Sequence, residues 1–437
     1  MALQPAAPAA LETASTPGET ASTPVRAAVV VAPYGDGGAY AREFTARGWP
    51  CVAIELAPDV LPPELAGSTV SGEYHHRIVH TGSLSETVKS LAPYRVGAVV
   101  AGSSLGVDLA DQLAERLRST GNDPSSSLLR HDIGLQAETL AIAGVAAPRG
   151  IRTASLAAAL DWAAFHDLPE YLVAAADTTI EAPVRRCLSG YDLAVAWREM
   201  LQATQQQGMG PHLVLQEYLP GTVYHLDTVT GRGPHGAVEH RVTRIWAETR
   251  TPAGLHDRSD LVDPRGLVPR LLTLYMLRVL DILGVTTGVL RSRLVVVDGQ
   301  EPVLARAEPG PPMDAADLVL RELTGSNLVK DAVQAALPGS SRLPTRPLPR
   351  QHVARVSLIA PQDGALDEGL LRTITALPTV RQTVGDLRPG ARVRRTVGRT
   401  DSPGELILAA DSRRDVDTDH RAIRAAERRG LYRGAGA

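Results

Sequence analysis

The stretch "GVLRSRLVVVDGQEPVLARAEPG", Gly288 to Gly310, decides how this chain is read. It reads as two short strands around a turn, with Arg291 and Arg293 on the first and Arg306 and Glu308 on the second. Strand side chains alternate between faces with period two. A turn centred on Gly299-Gln300 sets Arg293 opposite Arg306 and Arg291 opposite Glu308. One face of the hairpin then carries three guanidinium groups and one carboxylate. Guanidinium stays protonated and has no lone pair to offer, so it cannot ligate a metal. Unit charges ~4 Å apart interact by about 4 kcal/mol at an effective dielectric near 20, so a divalent cation here is opposed by several such terms.

Working back from the hairpin, "LVPRLLTLYMLRVLDILG" is a long apolar-faced helix stopped by Gly284. Before it, "GAVEHRVTRIWAETR" is a strand, and "HLVLQEYLPGTVYHLDTVT" is two strands broken at Pro220-Gly221. Alternation sets Val223, His225 and Asp227 on one face of the second of these. Further upstream, "AVAWREMLQATQQQG", "LAAALDWAAFHD" and "LLRHDIGLQAETLAIAG" each read as one helix, and "EYLVAAADT" as a strand. The N-terminal segments "RAAVVVAPYGDGGAYAREFTARGWPCVAIEL" and "VGAVVAGSSLGVDLADQLAERL" repeat strand, Gly-rich turn and helix, a βαβ pattern that implies a parallel sheet. Such turns hold anions at helix N-termini in some proteins and only close α/β units in others. After the hairpin come a helix near Ala315–Thr324, the Pro-rich "LPTRPLPR" and a last α+β piece.

A length of 437 residues implies more than one core, and 44% hydrophobic content is enough to fill them. We divide the chain into a disordered tail (1–25), an N-terminal βαβ domain (26–125), a small subdomain (126–210), a sheet subdomain (211–335) and a C-terminal α+β segment (336–437). A formal charge of −3 gives no electrostatic ground for nucleic acid or membrane partners. Cys51 and Cys187, the two cysteines, make neither a disulfide framework nor a zinc site, so a cytoplasmic setting is expected. The first 25 residues lack the basic start and apolar run of a secretory signal. Of 45 basic residues only Lys89 and Lys330 are lysines, so any chemistry that needs a lysine has two candidates.

The order of elements resembles the ATP-grasp superfamily, and within it the actinobacterial carboxylate–amine ligase-like proteins. The resemblance rests on "GNDPSSSLLRHD", "LVLQEYLPGTVYHLDTV", "HRVTRIW", "LDILGVTTG" before the hairpin, and "LPTVRQTVGDLRPGARVRRTVGRTDSPGELILAADS". It implies an α/β fold of the α+β ATP-grasp kind: a parallel-sheet βαβ domain, then two α+β subdomains with a cleft between them. It also implies that ATP phosphorylates a carboxylate and an amine attacks the acyl phosphate, with lysines and magnesium holding the phosphates.

Against that pattern the sequence departs at several positions. Ile133, Ala174 and Ala175 stand where the family carries lysines or their neighbour, and Val223 where it carries the ribose-binding Glu. "DTTIEAPV" replaces its glycine loop, and Arg293 and Arg306 replace the two metal-binding carboxylates. What survives includes Gln216, Glu217 and Tyr218 at the hinge, with Asp177 and Asp227. The expectation is a protein without a metal or nucleotide cofactor, working in amino-acid or peptide-like secondary metabolism. It would be the partner of an active enzyme, in a homo- or hetero-oligomer. Otherwise it would be an ATP-independent enzyme whose pocket holds a small anionic molecule. Arg291, Arg293, Arg306, Glu308 and Arg241 are the candidate substrate-binding residues, and Asp227 and Asp177 the candidate acid/base residues. The alternative is a divergent ATP-dependent carboxylate–amine ligase.

Overall fold

The structure, a computed structural model, describes residues 24–62, 70, 72–179, 184–297, 299–310, 317–324, 327–339, 343, 348–399 and 401–434. Most of the expected tail, part of "DTTIEAPV" and part of "LPTRPLPR" lie outside the described residues.

The first sheet contains β1 (Val25–Val31), β2 (Cys51–Leu56), β3 (His76–His80) and β4 (Tyr94–Ala101), in the order β3-β2-β1-β4 with parallel neighbours throughout. Ala27 to Val31 are fully buried, as a central parallel strand covered on both faces requires. The Gly-rich turns serve close approach here. A Cβ on Gly37 would lie 2.5 Å from the Gly102 carbonyl oxygen, and one on Gly106 2.5 Å from that of Val31.

A second, antiparallel sheet has the order β5-β8-β6-β7, from β5 (Gly150–Thr153), β6 (Tyr171–Ala175), β7 (Arg185–Cys187) and β8 (Leu213–Glu217). Helices Leu156–His166 and Gly190–Gln206 cover it through Ala159, Leu193, Trp197 and Met200.

The chain leaves β8 at Glu217 and enters β9 (Thr222–Arg232) of a third sheet. There follow β10 (Val238–Arg250), β11 (His256–Leu261), β12 (Gly288–Val296), β13 (Val303–Pro309) and β14 (His352–Ser357). Then come β15 (Gly364–Leu366), β16 (Val380–Val384), β17 (Arg392–Val393), β18 (Glu405–Ala410) and β19 (Tyr432–Gly434). The eight-stranded order is β13-β12-β9-β10-β11-β14-β18-β16, while β17-β15-β19 form a small sheet. One face of the large sheet is apolar: Leu226, Val242, Ile245, Leu290, Leu294 and Leu304 pack on Leu272, Met276, Val279 and Leu280 of helix Leu267–Ile282.

Two of the expected boundaries do not follow the sheets. β8 lies beyond residue 211 yet closes the small sheet, because it pairs with β5 and β6. β14, β16 and β18 lie beyond 336 yet extend the large sheet through β11. The helix expected over "LLRHDIGLQAETLAIAG" is broken. A 3-10 segment, Pro124–Arg130, precedes helix Ile133–Ile142. The break lies at Asp132, whose carboxylate accepts hydrogen bonds from the Gly134 and Leu135 amides and caps the helix start.

The sheets are tied together by buried polar groups. Arg130 pairs with Asp111, and both are almost fully buried. Ser127 Oγ donates to Asp111 at 2.6 Å and Asn122 Nδ2 at 3.3 Å. Asn122 Oδ1 accepts from the amides of Thr286 and Thr287 at 2.8 and 3.0 Å, which fixes the entry to β12.

Candidate functional site

The hairpin forms with the four charged residues in the expected register, although a bulge at Ala305 shifts the pairs nearer the turn by one residue. Arg291 pairs with Glu308 and Arg293 with Arg306 across β12 and β13. On its other side β12 sets Arg291 beside Asp227 and Arg293 beside His225 of β9. Because the alternate residues Leu226, Leu290 and Leu294 face the helix Leu267–Ile282, these charged side chains share the opposite face.

β10 adds to that face after an irregularity. Its register with β9 shifts between Val242 and Arg244, so Thr243 is the extra residue of a bulge. Val242 and Ile245 both reach the apolar core, and Arg244 stands opposite Asp227. Arg244, Trp246 and Glu248 follow along the charged face. Arg241 stands opposite Val229, farther along β10; its Nε is buried without a hydrogen-bond partner, and no ion pair among the described residues joins it to the hairpin.

Each carboxylate on this face is held by arginine. Asp227 lies 3.5 Å from Arg291 Nε and 3.9 Å from Arg244 Nη1, with its side chain 5% exposed. Glu308 lies 2.7 Å from Arg306 Nε. Glu248 lies 2.6 Å from Arg250 and accepts a 2.6 Å hydrogen bond from His225 Nε2. Glu405, on β18, lies 2.6 Å from Arg355 and 3.3 Å from Arg399. Arg293 makes no ion pair or hydrogen bond among the described residues, and its Nε is buried without a partner.

Burial and neighbouring charge set the protonation states. Burial, reinforced by Arg399 and Arg293, lowers His225 to about 4 against the opposing pull of Glu248. The ring is therefore neutral, with its hydrogen on Nε2 toward Glu248 and a lone pair on Nδ1. Burial opposes ionisation of Glu248, but His225 and Arg250 hold it well below the usual carboxylate range. Burial likewise opposes Glu405, which Arg355 and Arg399 bring down to about 2. His256 is lowered to about 4 by burial and Arg399, and lies 2.7 Å from Ser357 Oγ and 2.9 Å from Ser259 Oγ. Burial lowers Arg293 to about 10, with Arg250, Arg306 and Arg399 acting in the same direction and Glu248 opposing them. It remains a cation at neutral pH.

The other expected residues lie elsewhere. Asp177 follows β6 in the small sheet, where it accepts from the Thr179 amide at 2.8 Å and faces His131 Nδ1 at 3.3 Å. No interaction among the described residues joins it to Asp227. His131 is also 3.1 Å from Asp108; burial works against its charge, but the two carboxylates outweigh burial and raise it to about 9. At the hinge, Glu217 is taken up by the amide and guanidinium of Arg149 at 2.8 Å each. Tyr218 stacks under Arg186 at 4.3 Å, and Gln216 keeps a buried, unpartnered Oε1.

Sequence reading missed Glu248, Arg250, Arg355, Arg399, Glu405 and His256. Alternation along "RIWAETR" signals that Arg244 and Glu248 share a face. The pairing of Glu248 with His225 depends on the bulge and the register of β9.

These residues do not fit a divalent cation. Magnesium needs about six oxygen ligands in octahedral array. The carboxylates of this face are each in contact with a guanidinium. Among the described residues no group of three or more His, Cys, Asp or Glu side chains is placed to hold a metal. A nucleotide fits in part: guanidinium groups match phosphate oxygens, and Gln216 Oε1 is free to accept a hydrogen bond.

No family model matches the chain. Dapdiamide A synthase of Enterobacter agglomerans is 23% identical over 388 residues, covering 84% of this chain and 88% of that protein. The L-amino acid ligase of Bacillus licheniformis superposes with a TM-score of 0.71 at 13% identity, covering 92% of this chain and 98% of the ligase. N5-carboxyaminoimidazole ribonucleotide synthetase of Thermotoga maritima gives a TM-score of 0.62 at 13% identity, with 92% and 98% covered. No described helix is long and apolar enough to cross a membrane.

Proposed function

We propose, from the ATP-grasp fold that these likenesses establish, that the protein is a divergent ATP-dependent carboxylate–amine ligase. Its product would be an amide or peptide bond between amino-acid-like substrates. The observation that carries this reading is the extent of the likeness, 84% of the chain against a dapdiamide synthase and 92% against an L-amino acid ligase. It favours ligation over the expectation that the protein works without ATP. A cytoplasmic role in amino-acid or peptide-like metabolism belongs to the same reading.

ATP, when bound, would supply the phosphoryl group that activates the carboxylate. The chain's own residues would do the rest. Arg291, Arg293 and Arg306 hold negative oxygens at the hairpin face, where bidentate guanidinium contacts fix position as well as charge. His225, kept neutral by burial and the nearby guanidinium groups, offers its Nδ1 lone pair as a hydrogen-bond acceptor that orients the incoming amine, because Glu248 holds the hydrogen on Nε2. No step passes through magnesium, for which this face offers no ligand set.

A second reading rests on one observation, the pairing of Arg293 with Arg306. It makes the protein a binding partner of another enzyme, or an ATP-independent enzyme acting on an anionic substrate. The test is to incubate the chain with ATP and pairs of amino acids, measuring ADP by coupled assay and products by mass spectrometry. Amino-acid-dependent ADP with a new amide mass supports ligation. ADP formation absent for every pair, with the chain folded, contradicts it and favours the second reading.

A further inference from the structure

The charged face is layered. Three of its four carboxylates lie beneath, Asp227, Glu248 and Glu405 with side chains 5%, 3% and 12% exposed, together with Arg244 and Arg355, while Glu308 reaches the surface beside Arg306. Guanidinium groups lie above them: Arg291, Arg306, Arg250 and Arg399 are 33%, 32%, 43% and 41% exposed. The layer that meets solvent is therefore cationic, although acids are close at hand. Among the described residues of this face, five arginines (250, 291, 293, 306 and 399) stand with the four carboxylates 227, 248, 308 and 405. His225 and His256 add no positive charge at neutral pH, since both titrate near 4.

Arg293 stands at the centre of the excess. It is partly buried, faces a second arginine across the hairpin, and has no counter-ion in contact. Glu248 favours its charge without touching it, while Arg250, Arg306 and Arg399 lie near enough to oppose it. Guanidinium cannot relieve this by losing a proton at neutral pH. A buried, unpaired charge is costly, and the cost is removed when an anion supplies the missing acceptors.

We propose that the guanidinium layer around Arg293 is a binding site for a multiply charged oxyanion that needs no divalent cation, with Arg399 of the C-terminal segment as part of it. The class of ligand is a polyphosphate or polycarboxylate: planar or tetrahedral oxygens that guanidinium forks meet in pairs. Its source is either the phosphate chain of a nucleotide or the carboxylates of a substrate. Arg399 reaches the site from the segment between β17 and β18, so the bound anion links the hairpin to the C-terminal part of the chain. The proposal deepens the ligase reading by naming what its cleft holds, and it is tested separately from turnover.

The test is isothermal titration of the full chain with sodium tripolyphosphate and with citrate, each in EDTA and in magnesium. Saturable binding of either in EDTA is expected, with magnesium leaving the affinity unchanged or weaker. The tighter of the two probes assigns the source of the anion. Arg293→Gln should weaken binding at least tenfold, Arg399→Gln several-fold, and Arg293→Lys by less than Arg293→Gln. Arg265→Gln, at an exposed ion pair with Asp263 before helix Leu267–Ile282, should leave binding unchanged. Removing an unpaired guanidinium should raise the melting temperature of Arg293→Gln by a few degrees, which shows that the variant is folded.

Failure of both probes to bind in EDTA, binding only with magnesium, or unchanged affinity in Arg293→Gln would overturn the proposal. Tripolyphosphate binding without any ADP formation would keep this site and remove the ligase reading. Magnesium-dependent ligation with no metal-free anion binding would do the reverse.

Discussion

At the residue scale, buried charge decides what the protein tolerates. Arg130 and Asp111 are 1% and 4% exposed, so removing one leaves the other unpaired. Arg130→Ala should cost about 3–5 kcal/mol in urea unfolding, whereas Arg130→Met with Asp111→Leu should cost much less. A loss below about 1 kcal/mol for the single change would contradict the pairing. His131 gives a pH signature. Its pKa is raised from 6.5 to about 9, so the folded state holds the proton more tightly than the unfolded chain. The contribution is full below about pH 6.5 and fades as the pH climbs through 9. Since Asp108 is half exposed, we expect a decline of about 1–3 kcal/mol over that window. His131→Gln should flatten it; an unchanged slope in denaturation at pH 6, 7.5 and 9 would refute the assignment.

At the element scale, the sheet separates an apolar face from a charged one, and each can be disturbed alone. Met276, fully buried under β9, β10 and β12, is part of the apolar side. Met276→Ala should destabilise by about 2–5 kcal/mol in chemical denaturation while leaving anion affinity in the surviving folded protein unchanged. A coupled loss of affinity would mean the faces are not independent. Gly221 marks the passage from small sheet to large: a Cβ there would lie 2.4 Å from the Val296 carbonyl oxygen. The sequence marked this passage through Pro220-Gly221, and it marked the pairing of Arg291 and Arg293 across the hairpin, but not the bulge at Ala305 nearer the turn. It did not reveal the bulge at Thr243, because period-two reading assumes that no residue is inserted. Nor did it reveal the break at Asp132, where a side chain competes with its own helix for backbone amides.

At the scale of the whole molecule, local pattern and long-range pairing differ in how far they can be read. The parallel N-terminal sheet was legible because strand, turn and helix recur in series, and the charged hairpin because its two strands are neighbours in sequence. The partners of the site were not. Glu248 meets His225 only through the β9–β10 register, and Arg399 and Glu405 arrive from beyond β17 after the large sheet has continued through β14. Of the expected pair, Asp177 lies after the end of β6 of the small sheet and Asp227 on β9 of the large one. Their shared origin in one resemblance gave no information on their distance.

Arginine in place of a metal is the proposed means by which this ATP-grasp fold holds its anion. It is tested most directly by isothermal titration of ATP into the full chain, in EDTA and again with excess magnesium. Saturable binding in EDTA is expected, with magnesium tightening it no more than about threefold, or about 0.7 kcal/mol. Binding that appears only when magnesium is present would contradict it.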